Sequence, residues 1–240
     1  MTLLSEYNKK LRWLFIQKEI RNKVRDDSRE NIPPVCTMQI IGGKKIWKMD
    51  LLEKPLIFNT ESHDVLSEVE LLFKFEAEEL GDKLKIAQYG VNILLWSDKP
   101  QYCYRETFDS FRIKNLVNEG EWKRVMIRFH LEQKESGVTL PEPLCHLHFG
   151  GKQDVHEHCW IPTTIHEPRF PHPPMDIVLL LEYILVNYFP NETHDFRQKR
   201  EWIDIIRFSQ KLFQENYFEA CQSWLENDDN TYLGHQCSIC

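Results

Sequence analysis

No run of about 18 uncharged apolar residues occurs in the 240-residue chain, so a helix able to cross a bilayer is not expected. Met1-Thr-Leu-Leu-Ser leads into a charged segment instead of an apolar one, so no secretory leader is expected either. Positive charge is not in excess. Thirty Lys and Arg stand against 37 Asp and Glu, a net charge of −7, which excludes a generally basic nucleic-acid or membrane coat and makes any polyanion binding local. Repeats, low-complexity tracts and linkers are missing, and the 42% apolar content is that of a globular chain. Residues 1–240 therefore read as one α+β domain. Cysteine does not occur in an even number: Cys36, Cys103, Cys145, Cys159, Cys221, Cys237 and Cys240 read as reduced thiols in a cytoplasmic protein.

What is present falls into three parts. Residues 1–30 hold an amphipathic helix over 3–25, with Leu4, Tyr7, Leu11, Leu14, Phe15 and Ile16 on its apolar face. Its other face carries Lys9, Lys10, Arg12, Lys18, Arg21, Lys23 and Arg25, either a solvated face or a contact surface for RNA, DNA or an acidic partner. Residues 35–161 change to period two. Val35–Ile41 and Lys44–Leu51 flank Gly42-Gly43 and read as a hairpin, and further strands are expected near 69–76, 84–96, 102–113 and 122–131. Residues 174–226 return to helical period, with a core helix over 175–189 and a long amphipathic helix over 197–226. The expected fold is α+β, a mostly antiparallel sheet with an N-terminal amphipathic helix and two C-terminal helices packed on it.

Histidine is concentrated: His146, His148, His156, His158, His166 and His172, six of ten, fall within 27 residues. Two His-x-His units flank Gly150–Asp154, and residues two apart on a strand share a face. A hairpin centred on Lys152 sets His148 beside His156 and His146 beside His158, so four imidazoles converge. Such a set suits a divalent ion, zinc or manganese, held by His146, His148, His156 and His158. The same rings also suit metal-free acid–base or phosphate-binding chemistry, since imidazole titrates near neutrality. The bland alternative is a hairpin with ordinary polar-face histidines. The next block carries Pro168, Pro171, Pro173 and Pro174 and is expected to be irregular and stiff. Arg169, its one cation, offers a planar fork for phosphate, with His166 and His172 nearby; Asp176 reads as a helix cap. At the C-terminus, Cys237 and Cys240 are either a zinc clip with His235 or an uninvolved tail.

Arg128-Phe-His130, His146-x-His-Phe-Gly-Gly151, Trp160-Ile-Pro-Thr163, Pro168-Arg-Phe-Pro-His-Pro-Pro-x-Asp176 and Asn187-Tyr-Phe-Pro190 follow one another in an order that resembles a group of uncharacterised bacterial proteins. The resemblance covers residues 122–190. It implies cargo of mobile or anti-phage defence loci with toxin-like nuclease activity, and it carries His146, His148 and Arg169 over as site residues. The resulting expectation is a hydrolase acting on a phosphodiester, RNA or a nucleotide, as a toxin or defence effector, with the basic N-terminal helix guiding the polyanion. The alternative is a noncatalytic component of a multi-protein complex, with a structural or zinc-stabilised histidine hairpin and an aromatic-rich surface for a protein partner.

Overall fold

The computed structural model describes residues 2–60, 66–97, 124–133, 145–149 and 170–225; along 124–133 it describes the backbone alone, and along 145–149 the backbone and the Leu147 side chain. The strand expected over 102–113 and the residues His156, His158, His166, Arg169, Cys237 and Cys240 lie outside the described residues. The order of elements is α1 (Leu3–Ile16), α2 (Lys18–Arg21), a 3-10 segment (Asp26–Asn31), β1 (Thr37–Ile41), β2 (Lys44–Asp50), β3 (Leu56–Asn59), β4 (Glu68–Leu80), β5 (Lys83–Ser97), β6 (Arg124–Gln133), β7 (Cys145–Phe149), β8 (Phe170–Pro171), α3 (Ile177–Tyr188), α4 (His194–Arg197) and α5 (Arg200–Leu225). All eight described strands join one antiparallel sheet, in the order β1-β2-β4-β5-β6-β7-β8. The short β3 pairs with Glu68–Leu71 of β4, on the same edge as β2 and beyond its end, while β5 takes the whole of the other edge. The expected α+β architecture, an antiparallel sheet with helices on it, is the one observed.

Two turns set the register of the first half. Gly42 and Gly43 both have positive φ, 57° and 80°, which residues with a Cβ rarely adopt, and they close β1 onto β2 with Ile41 opposite Lys44. Gly81, φ 69°, does the same between β4 and β5. Alternation then sorts the sheet into two faces. Trp47 and Met49 of β2, Val69, Leu71, Phe73, Phe75 and Ala77 of β4, and Tyr89, Val91, Ile93 and Leu95 of β5 are buried and belong to the core. The helices cover this face. Tyr7 of α1 lies 5.7 Å, centroid to centroid, from Trp47 and 6.0 Å from Phe213 of α5, and Phe213 meets Phe75 edge-on at 5.3 Å.

The single helix expected over 3–25 is two helices. Backbone at Gln17 is extended (φ −66°, ψ 131°), ending α1 and starting α2. The reason lies in the apolar spacing. At about 100° per residue, Ile20 and Val24 would stand roughly 150° and 110° away from the Tyr7, Leu11 and Leu14 stripe of a straight helix. The break re-aims them, and both are fully buried. Ile16, counted on the apolar face in the sequence, is instead 65% exposed. α3 is buried on nearly all sides, as its composition predicts, and begins after Asp176, whose carboxylate accepts the Leu179 N–H at 3.0 Å and caps the helix.

Candidate functional site

The histidine block enters the sheet as β7, an internal strand, with β6 on one side and β8 on the other. Residues directly opposite in neighbouring strands share a face. Leu147 stands opposite Leu131, Phe149 opposite Phe129 and Cys145 opposite Gln133, and β6 in turn sets Leu131 and Phe129 opposite Val91 and Ile93 of the core face. Leu147 is packed against the core accordingly. The intervening positions form the other face: His148 opposite His130, His146 opposite Glu132, and Arg128 one step further along β6. His146 and His148 therefore share a face as expected from their spacing, on the side of the sheet away from the helices.

Their strand partners differ from the expected hairpin. His146 has Glu132 on one side and Pro171 on the other, which leaves no backbone edge for His158 at that position. The proline-rich block, expected to hold no regular element, supplies the two residues of β8 that take the edge. Proline is tolerated there because an outermost strand needs no donor on its outward side. His156, His158, His166 and Arg169 lie outside the described residues. His172 follows β8, is half-buried, and its Nδ1 lies 2.7 Å from the Pro173 carbonyl oxygen. Burial pushes its pKa below the ordinary histidine value, which favours the neutral ring with Nδ1 as the donor. Sequence reasoning gave β6 no site role, although Arg128-Phe-His-Leu-Glu132 already alternates ionisable and apolar residues.

The same face continues onto β5 and β4. Asn92 stands opposite His130, Gly90 opposite Glu132, and Lys74 opposite Gly90. Gly90 has no positive φ to explain it, and no described atom comes within 4 Å of where a Cβ would stand. The strand thus leaves room between Lys74 and Glu132. Leu94, opposite Arg128, is buried at 1% exposure.

The basic helix stands elsewhere. Lys10 pairs with Glu6 and sits over the Phe208 ring, Lys23 pairs with Glu192 and sits over Phe189, and Arg25 is shared by Asp27 and Glu68. Lys9, Arg12, Lys18 and Arg21 are exposed and form no ion pair with a described residue. An open groove of about 370 Å³ is lined, among the described residues, by Ser5, Asn8, Lys9 and Arg12. These cations belong to the helical layer, so the sheet separates them from His146 and His148. A guiding role that delivers a polyanion directly from α1 to the histidines is not supported by this placement.

Among the described residues, the one buried carboxylate of the helical layer is structural. Asp176 is fully buried and accepts from the Tyr7 hydroxyl at 2.8 Å as well as from Leu179 N–H. Burial pushes both groups up, Tyr7 well above the ordinary tyrosine value and Asp176 above the usual carboxylate range, with the hydrogen bonds to Asp176 opposing its rise. The Cys36 thiol is buried nearby and pushed up to about 12, mainly by desolvation, which holds it in the neutral thiol form.

Among the described residues, no three His, Cys, Asp or Glu side chains converge closely enough to hold a metal ion; the side chains of His130, Glu132, His146 and His148 are not among those described. No helix of the described residues is long and apolar enough to cross a membrane. Comparison with family models, curated proteins and solved structures finds no match.

Proposed function

We propose that the chain is a hydrolase of phosphodiesters whose site lies on the sheet face away from the helices, around His146 and His148. The observation that supports this reading is the gathering of His130, His146, His148 and Arg128 at adjoining positions of one face of β6 and β7. Phosphodiester cleavage needs a base for the attacking oxygen, an acid for the leaving one, and positive charge for the phosphate. Imidazoles fill the first two roles near neutral pH. Arg169 follows His166 in the segment leading into β8, and it serves with Arg128 as the phosphate-holding cation. Because the exposed lysines and arginines of α1 are on the far side of the sheet, the substrate that fits best is compact, a nucleotide or short oligonucleotide, and not a long RNA strand. A role as toxin or defence effector agrees with this activity.

The reading predicts that purified protein cleaves at least one substrate in a panel of cyclic and linear dinucleotides, short RNA and short single-stranded DNA. His146→Ala with His148→Ala is expected to lower the rate at least about 100-fold, the lower range for loss of an acid–base pair, while the melting temperature stays within a few degrees. Absence of cleavage by the wild type across the panel removes the hydrolase reading.

A second reading, a noncatalytic subunit, is favoured by β1. All five of its residues are exposed, with Met38, Ile40 and Ile41 apolar, and among the described strands only β2 pairs with it. An open apolar edge of this kind accepts a strand from a protein partner.

A further inference from the structure

The register of β6 and β7 points to a divalent-metal site made by His130, Glu132, His146 and His148, an inference that rests on the same face as the hydrolase reading and names what acts there. The four positions form a rectangle of two neighbouring strands and two successive same-face rows: His130 across from His148, Glu132 across from His146. Cβ atoms of directly opposite residues stand about 4.5–5.5 Å apart, and the diagonals, His130 to His146 and Glu132 to His148, about 7–8 Å. By backbone register alone, three histidines and a glutamate at these positions are near enough to serve one ion.

Three further observations favour a ligand over a merely polar face. The donors sit on internal strands, where β5 and β8 flank β6 and β7, so their backbone spacing is fixed by pairing on both sides at His146. Alternate positions of the same two strands, Phe129, Leu131, Leu147 and Phe149, are all apolar, whereas the four positions of the rectangle are all metal-binding types. Gly90 lies next to Glu132 in the adjoining strand, and no described atom comes within 4 Å of where its Cβ would stand. Three histidines and one glutamate suit zinc or manganese; six-coordinate manganese held by all four keeps two positions for exogenous ligands, and zinc keeps one when three of the four hold it. An ion so placed lowers the pKa of bound water to about 7, which supplies the nucleophile that the hydrolase reading requires. The partners of His146 and His148 are thus on β6, 14 to 18 residues upstream, and the second His-x-His unit is not needed.

The test uses the full chain stripped with chelator and then dialysed against zinc or manganese. One equivalent of zinc or manganese per chain is expected by elemental analysis, and His130→Gln and Glu132→Gln are each expected to weaken binding by more than about 10-fold, with His172→Ala unchanged as a histidine outside the rectangle. A cobalt-loaded wild type, which does not depend on how any variant folds, is expected to show ligand-field bands without a sulfur charge-transfer band. The inference is overturned if the stripped protein takes up less than a tenth of an equivalent, if it cleaves substrate at the full rate with chelator present, if folded His130→Gln binds as tightly as the wild type, or if cobalt reports thiolate ligation. Stoichiometric metal that depends on His130 in a protein with no cleavage activity supports the site while removing the hydrolase reading.

Discussion

Asp176 shows how one buried group ties stability to pH. Its pKa is raised by burial above the ordinary 3.8, so the folded state holds its proton more tightly than the unfolded state does. Stability from this group is complete below about pH 3.8 and is lost as the pH rises through the raised value. Asp176→Asn keeps one acceptor oxygen for the Leu179 N–H that Oδ1 now accepts, sets an amide NH2 where Oδ2 accepts from the Tyr7 hydroxyl, and has no proton to lose. Urea midpoints should therefore fall more between pH 4 and pH 7 for the wild type than for the Asp176→Asn variant; a wild type that gains on the variant as the pH rises would mean that the charged form is the favoured one. Asp176→Ala removes the cap and strands the buried Tyr7 hydroxyl, and it should cost about 2–4 kcal/mol in the same measurement. At this scale the sequence was informative. Aspartate just before an apolar run is a cap signal, and Gly42-Gly43 between alternating segments is a turn signal, because both act through bonds within a few residues of themselves.

The elements show where local signals end. α1 stops at Gln17, where neither Pro nor Gly marks a break, and the only trace of it is that Ile20 and Val24 fall on the wrong side of a continuous helix. This makes a discriminating pair of substitutions. Ile20→Ala, at a fully buried position, should cost about 2–5 kcal/mol, whereas Ile16→Ala, at a 65% exposed one, should stay within about 0.5 kcal/mol. A continuous helix would set Ile20 about 150° from the buried stripe and predicts a small cost there, so the denaturant titration of Ile20→Ala, with Ile16→Ala as the exposed control, decides between them. The histidine block illustrates the same limit in a sheet. His-x-His on both sides of a Gly-Gly turn favours a local hairpin, but β7 pairs with β6 upstream and with β8 across a long intervening segment. Pairing over such separations leaves no mark on spacing. What was legible was the alternation itself: His146 and His148 on one face, Arg128, His130 and Glu132 likewise. Which alternating strands become neighbours was not.

Over the whole molecule, the sheet divides the chemistry in two. One face is closed by α1, α3 and α5 over a continuous aromatic and aliphatic core that includes Tyr7, Trp47, Phe75, Trp202 and Phe213. The other face carries the ionisable residues of the two strands that follow β5. The surplus cations of α1 belong to the closed side and line their own groove, so basicity and histidine content, which the sequence invites one to combine, are spatially separate features. That separation is why the proposed substrate is small. Both proposals depend on the β6–β7 register, since a slip of one residue would send His146 and His148 to the face opposite His130 and Glu132. Crystals grown with zinc and measured at its absorption edge test this directly. The expected anomalous peak lies between β6 and β7, within about 2.3 Å of nitrogens of His130, His146 and His148 and close to a Glu132 oxygen. A peak bound instead by His156, His158 or cysteine sulfur, or density that sets His130 opposite a residue other than His148, would contradict it.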